Sequence, residues 1–235
     1  MKRAPAIVFV ITFIALIAGI PAYTQQVATS GRVVSFVIKA KSLVNAGGEN
    51  PERRVSVYLP PGYERSGKRY PVIYYLHGYT GTDSIYAGMK DILDRGIAEN
   101  KIKPFILVQS NQYTLFEGSF YGNSSLTGNW SDFTAKELVT YIDANYRTMS
   151  SRESRGIAGH SMGGHGALKI AMLYPEVFSS VYALSPGLLA LVKEFGPNSD
   201  SFKELQRDYD SRRTQEVVLS KGTRCVRKDV VSESK

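Results

Sequence analysis

The chain is poor in the residues from which metal and redox sites are built. It has one cysteine, Cys225, and three histidines, His77, His160 and His165, in 235 residues. A lone cysteine excludes an internal disulfide and any cysteine-clustered metal centre. No internal repeat and no low-complexity tract is present. Evenly spread basic charge is missing as well, although the formal net charge is +8. Lys2 and Arg3 carry part of it, and from Arg212 onward seven bases face three acids. The stretch between is close to neutral, so no basic face for nucleic acid is expected. Neither a metal nor a cofactor is expected.

The length fits one domain with a sizeable core. The N-terminus reads as an export signal over residues 1–24. Lys2 and Arg3 precede an apolar run over residues 4–20, followed by Pro21 and Ala22, with cleavage expected after Ala22 or Thr24. The run is a little short for a membrane span, which takes about 20 residues. A retained anchor is the alternative. The absence of cysteine near the cleavage region argues against a lipoprotein. The expected location is secreted or periplasmic, with no stable membrane association once the signal is removed. Residues 25–211 are expected to form the folded domain and 212–235 a basic tail.

Residues 32–40 and 53–59 alternate apolar and polar side chains and predict two strands paired as an antiparallel hairpin. Residues 71–76 (PVIYYL) and 105–108 are nearly continuous apolar runs, as in strands covered on both faces. Residues 82–100 have helical spacing in parts, with Ile85, Met89, Ile92, Leu93 and Ile97 on one side. Ser131 is positioned to cap a helix reaching about Tyr146, with Ala135, Leu138, Val139, Ile142 and Tyr146 as its buried stripe. A strand is expected over 156–159, a helix over 163–173 stopped by Pro175, and a strand over 181–184. A helix over 201–209 and a strand over 216–219 are weaker expectations. Strands alternating with helices imply a mostly parallel sheet with helices on both faces.

Between the strand at 156–159 and the helix after it stands Gly159-His160-Ser161-Met162-Gly163. Glycine-X-serine-X-glycine at a strand-to-helix turn is the nucleophile elbow of an α/β-hydrolase fold. The turn lifts the serine hydroxyl above the sheet and sets a helix N-terminus beneath it, where N–H groups favour negative charge. Gly159, His160 and Gly163 support the elbow, the glycines because side chains there would strike the neighbouring strand and helix. The run Leu76-His77-Gly78-Tyr79-Thr80-Gly81 follows the apolar strand at 71–76. In such folds this loop supplies a second oxyanion donor. The expected donors are the backbone N–H groups of Tyr79 and Met162, with Ser161 as nucleophile. For His77 the expectation is a loop-fixing role rather than proton transfer, for His160 burial, and for His165 no part in catalysis. The aromatic residues Tyr113, Phe116, Phe120, Tyr121 and Trp130 belong to a long loop. They either line an acyl or aryl pocket or pin the loop to the body.

RRVSVYLPPGYE, YPVIYYLHGYTG, GSFYGNSSLTGNWSDFTAKELVTYIDANYR and GHSMGGHGALKIAMLYPEVF together resemble the putative-esterase family, over roughly residues 33–187. That family includes esterase D (S-formylglutathione hydrolase), feruloyl esterases and the antigen 85 mycolyltransferases. The resemblance implies an α/β-hydrolase fold, Ser161 as nucleophile, oxyanion donors at Tyr79 and Met162, and a carboxylic-ester or thioester substrate.

The departure lies after residue 187. The family carries an acid after the next strand and a histidine after the following one. Residues 216–225 (EVVLSKGTRC) resemble the segment that leads into the acid, and in that register Cys225 stands where the carboxylate belongs, with Asp229 four residues late. No residue is matched to the triad acid, and no histidine follows His165. The C-terminal strands are expected to be incomplete or irregular, with a broken or shortened reading frame as the expected origin. The combined expectation is a secreted serine esterase acting on a small-molecule or polysaccharide-linked ester, impaired because the triad histidine is missing. A non-catalytic ester- or carbohydrate-binding protein and an acyltransferase of the mycolyltransferase type are the alternatives.

Overall fold

A computed structural model describes residues 30–85 and 87–187, together with Lys203 and Arg207. The expected signal segment, the basic tail and the C-terminal strand over 216–219 lie outside the described residues. Within 201–209, expected to be helical, the two described residues are helical.

The chain begins as an antiparallel pair, β1 (Arg32–Lys39) and β2 (Glu52–Leu59), in register from Arg32 opposite Leu59 to Lys39 opposite Glu52. β3 (Val72–Leu76) and β4 (Ile106–Ser110) are the two apolar runs, joined by α1 (Ala87–Ala98). A short ribbon, β5 (Asn123–Ser124) and β6 (Gly128–Asn129), leads into the helical segment α2 (Trp130–Asp132), a π-helical stretch (Phe133–Leu138) and α3 (Val139–Asn145). β7 (Arg155–His160), α4 (Met162–Leu173) and β8 (Ser180–Leu184) follow. The main sheet runs β1-β2-β4-β3-β7-β8. The β2–β4 pair is antiparallel, and β4–β3, β3–β7 and β7–β8 are parallel.

Helices cover both faces, as patterned. On one face Ile73, Met89, Leu93 and Ile97 pack with Tyr58, Ile85 and Leu107. On the other, Trp130, Phe133, Leu138 and Ile142 join Ala167 and Ile170 over β3, β4 and β7. This is the α/β architecture expected. Strand order reverses around β3, whose successor β4 lies on one side and β7 on the other. In open α/β sheets the crevice at the carboxyl ends of such strands is where ligands bind. Here those ends are the 77–81 loop and the turn at Ser161.

Three local expectations are corrected. α1 starts at Ala87 rather than at 82, because Asp83 is drawn away to Arg54 Nε and Ser56 Oγ, each at 2.8 Å. Ile92 is exposed, one position off the stripe that packs. Ser131 does not cap its helix. Its hydroxyl donates to Tyr121 O, and the first N–H groups, of Ser131 and Asp132, are taken by Asn123 Oδ1 at 2.9 and 3.2 Å. The cap comes from the β5 ribbon, eight residues upstream. Thr134 Oγ1 donates to Trp130 O inside the same segment. A hydroxyl that occupies a helical carbonyl in this way loosens the regular ladder. Among the described residues no helix is long and apolar enough to cross a membrane.

Candidate active site

Ser161 sits at the crest between β7 and α4 with φ 55° and ψ −117°, a conformation in which only glycine is unstrained. Space leaves the elbow no alternative to its glycines. A Cβ at Gly159 would lie 2.2 Å from Gly163 O, and one at Gly163 would lie 1.9 Å from Leu76 O. The Ser161 backbone is held on every side. Its N–H donates to Leu184 O at 3.0 Å, and its carbonyl accepts from His165 N at 3.0 Å and Gly187 N at 3.1 Å. The side chain is half-buried, and among the described residues its hydroxyl has no hydrogen-bond partner.

β3 and β7 are paired in parallel with Leu76 opposite Gly159, so the loops that leave them meet. The Cβ position of Gly78 is 3.6 Å from Ser161 Cβ. Tyr79 therefore follows directly beside the serine, and Met162 is the first residue of α4. Among the described residues neither the Tyr79 nor the Met162 N–H finds an acceptor. Met162 N–H belongs to the unpaired first turn of the helix, where the dipole adds positive potential.

The histidines fall in three places. His77 is buried, and its Nε2 accepts the backbone N–H of Gln112 at 2.9 Å. Since that N–H can only donate, the ring proton sits on Nδ1 and is donated to Gly78 O at 2.8 Å. Burial holds its pKa below the ordinary histidine value. A neutral ring with its lone pair occupied cannot take a proton from Ser161, so the structure gives His77 a loop-fixing position. His165 is half-buried in an edge-to-face contact with Phe120 at 6.1 Å, and its Nδ1 is buried without a partner among the described residues. His160 was expected to be buried and is exposed. It shares its face of the sheet with Gly156, Ala158 and their β8 partners. α1 covers that face over β2, β4 and β3, whereas Tyr182 and Leu184 on β8 stay exposed among the described residues.

The aromatic residues of the expected long loop differ in burial. Tyr121 and Trp130 are fully buried pins, while Tyr113 and Phe116 are exposed. Phe120 lies between, with Tyr79 at 6.1 Å on one side and His165 on the other. The loop is fastened to the 77–81 loop at several points. Thr80 N donates to Glu117 O at 3.1 Å, Tyr79 Oη to Phe116 O at 3.2 Å, and Tyr121 Oη to His77 O at 2.9 Å. A Cβ at Gly118 would fall 2.5 Å from Met162 Sδ and 2.9 Å from the Tyr79 ring. Gln112, Gly118 and Tyr121 thus bear on the site, and sequence reasoning gave none of them this place. Their partners lie 35 to 44 residues away, and no local pattern marks such contacts. Among the described residues no cluster of three histidine, cysteine or carboxylate side chains could hold a metal ion.

Comparison with known proteins agrees with this fold. The family model described as Putative esterase matches residues 48–229. Esterase MT1326 of Mycobacterium tuberculosis is 38% identical over 156 residues, which is 65% of this chain and 32% of that protein. An endo-1,4-beta-xylanase/feruloyl esterase of Xylanibacter ruminicola is 36% identical over 149 residues, 56% of this chain and 19% of that one. The chain thus spans a third or less of the length of these curated relatives. A solved ferulic acid esterase superposes with a TM-score of 0.61 at 31% identity, covering 74% of this chain and 66% of that one. With the α/β sheet, the serine crest and a match over most of its length, the chain belongs to the Putative esterase family.

Proposed function

We propose that the protein is a serine-dependent carboxylic-ester hydrolase with Ser161 as nucleophile. One observation carries the reading. Ser161 is held at positive φ on a strand-to-helix crest, beside two backbone N–H groups, of Tyr79 and Met162, that have no acceptor among the described residues. Strain of this kind persists only where the surroundings enforce it, and it clusters at active sites.

In this reading Ser161 Oγ attacks the ester carbonyl, and the carbonyl oxygen becomes an oxyanion that accepts from Tyr79 and Met162 N–H. Collapse expels the alcohol and leaves an acyl-serine, which water then hydrolyses. The serine proton needs an acceptor. His77 is excluded by its tautomer, and no histidine follows His165 in the 235 residues. Neither His160 nor His165 hydrogen-bonds the Ser161 hydroxyl among the described residues, so in this reading proton removal falls to solvent and turnover is slow. An oxyanion hole and binding alone retain roughly 10³–10⁴-fold over water. The same deficit favours a second reading, a protein that binds esters without turnover.

Lys2, Arg3 and the apolar run after them support export. The xylanase/feruloyl esterase relative supports an ester borne on plant polysaccharide as the substrate class. The test is p-nitrophenyl acetate cleavage by the full chain and by Ser161→Ala, with mass spectrometry of the peptide that holds residue 161. An acetyl group on Ser161 and faster release than the variant are expected. Equal rates with no acetyl-serine would leave the binding reading in its place.

A further inference from the structure

The segment between residues 117 and 121 is costly to build, and its cost has no local explanation. Seven non-glycine residues among those described have positive φ, and five of them are Thr80, Glu117, Phe120, Tyr121 and Ser161. Phe120 (φ 47°) and Tyr121 (φ 51°) are consecutive, and Gly122 N donates to Ser119 O at 3.2 Å across them. This is the pattern of a type I′ turn, whose two central positions ordinarily hold Asn-Gly because side chains resist positive φ. Here both positions hold aromatic residues.

What the strained turn achieves is the placement of one hydroxyl. The Tyr121 ring is fully buried against Gly166, where a Cβ would come within 2.4 Å of it. From there Tyr121 Oη donates to His77 O at 2.9 Å. His77 O belongs to the His77–Gly78 peptide, one before the Gly78–Tyr79 peptide that carries the Tyr79 N–H. The next peptide, Gly78–Tyr79, is held as well, since His77 Nδ1 donates to Gly78 O and Gln112 N–H donates to His77 Nε2. Ser119 ties the two grips together. Its hydroxyl donates to Gln112 Oε1 at 3.2 Å and accepts Tyr121 N–H at 3.0 Å. Burial keeps the phenol far above its usual pKa, so it stays a donor.

We propose that Tyr121 is a positioning residue, whose hydroxyl fixes the His77–Gly78 peptide so that the Tyr79 N–H faces the carbonyl oxygen of an ester at Ser161. The inference rests on the reading of Ser161 as nucleophile and Tyr79 as oxyanion donor. A donor displaced by about 1 Å loses on the order of a hundredfold in rate. Packing alone would not need the hydroxyl, and Tyr121→Phe keeps the ring.

The experiment measures single-turnover acetylation of the full chain by p-nitrophenyl acetate over a range of ester concentrations. It compares wild type, Ser161→Ala, Tyr121→Phe and Ser119→Ala, with circular dichroism and thermal melting for each. For Tyr121→Phe the expected result is a limiting acetylation rate lower by roughly tenfold or more, with half-saturation unchanged and the fold retained. Ser119→Ala should show a smaller loss in the same direction, and it carries the test if Tyr121→Phe does not fold. Wild type acetylated at Ser161 with the folded variants within about twofold of it overturns the positioning role alone. Wild type no faster than Ser161→Ala overturns the nucleophile reading, and the positioning role with it.

Discussion

Gln112 donates its backbone N–H to Nε2 of His77 at 2.9 Å, and this one bond decides what the histidine is. It fixes a neutral tautomer that spends its other nitrogen on Gly78 O. Protonating the ring would remove the acceptor and leave Gln112 N–H facing a positive charge inside the fold.

The pH dependence of stability follows. Burial places the folded pKa of His77 below the ordinary value of 6.5. Between those two pH values the unfolded chain binds the extra proton, so stability is complete above about pH 6.5 and falls as pH drops towards the folded pKa. Melting at pH 7.5 and pH 5.5 checks this. Wild type should lose more melting temperature over the interval than His77→Gln, which has no imidazole to protonate. Equal losses would mean that His77 does not carry the acid sensitivity.

Ser161→Gly is expected to raise stability and remove acylation together. The backbone at φ 55° and ψ −117° is strained for serine and free for glycine. Less the added chain entropy of glycine, the gain should be about 1 kcal/mol in urea unfolding. A variant less stable than wild type would contradict the strain.

Gly166→Ala reverses the usual rule for helices. An alanine in place of glycine inside a helix ordinarily gains up to about 1 kcal/mol. At Gly166 the new methyl would meet Tyr121 Cδ2, Cγ and Cβ at 2.4, 2.5 and 2.8 Å, in a ring with no room to move. A loss of about 2 kcal/mol is expected from overpacking, measured by equilibrium denaturation. The variant should also slow acetylation of Ser161, because the ring it displaces carries the hydroxyl that holds His77 O.

Glu49→Ala should unfasten the loop over 111–122. Glu49 and Arg53 form a buried ion pair. Glu49 Oε2 accepts Leu115 N–H at 2.8 Å, and Arg53 Nη1 donates to Tyr113 O at 3.2 Å while its guanidinium lies over the Trp130 ring. Removing the carboxylate leaves a buried, unpaired cation, at a cost of about 3–5 kcal/mol. Amide hydrogen exchange in residues 113–117 should quicken more than in β3 and β4. Unchanged protection there would show that the ion pair does not hold the loop.

The sequence made the strands and the serine turn legible because their signals are local. Apolar runs at 71–76 and 105–108 predict buried strands wherever they lie, and the small residues around Ser161 allow few backbone paths. Their neighbours were also constrained, since Gly159 and Gly163 have no space for any other side chain. The cap of α2 is not legible in the sequence, because Asn123, which takes the first N–H groups, reaches them from a ribbon that the chain must first turn back to form. The exposure of His160 is hidden from the sequence for a related reason. Periodicity says which way a strand residue points, but whether a helix covers that face depends on where α1 comes to rest.

The order of strands and helices and the place of the serine on its turn can be read along the chain alone, because hydrophobic period and glycine geometry act within a few residues. Which partners hold His77, already expected to fix its loop, came from the packed fold: Gln112 and Tyr121 fasten the 77–81 segment from the 111–122 loop. Those roles are set by hydrogen bonds between segments 35 and 44 residues apart, which exist only once the sheet has brought β3 beside β4 and β7.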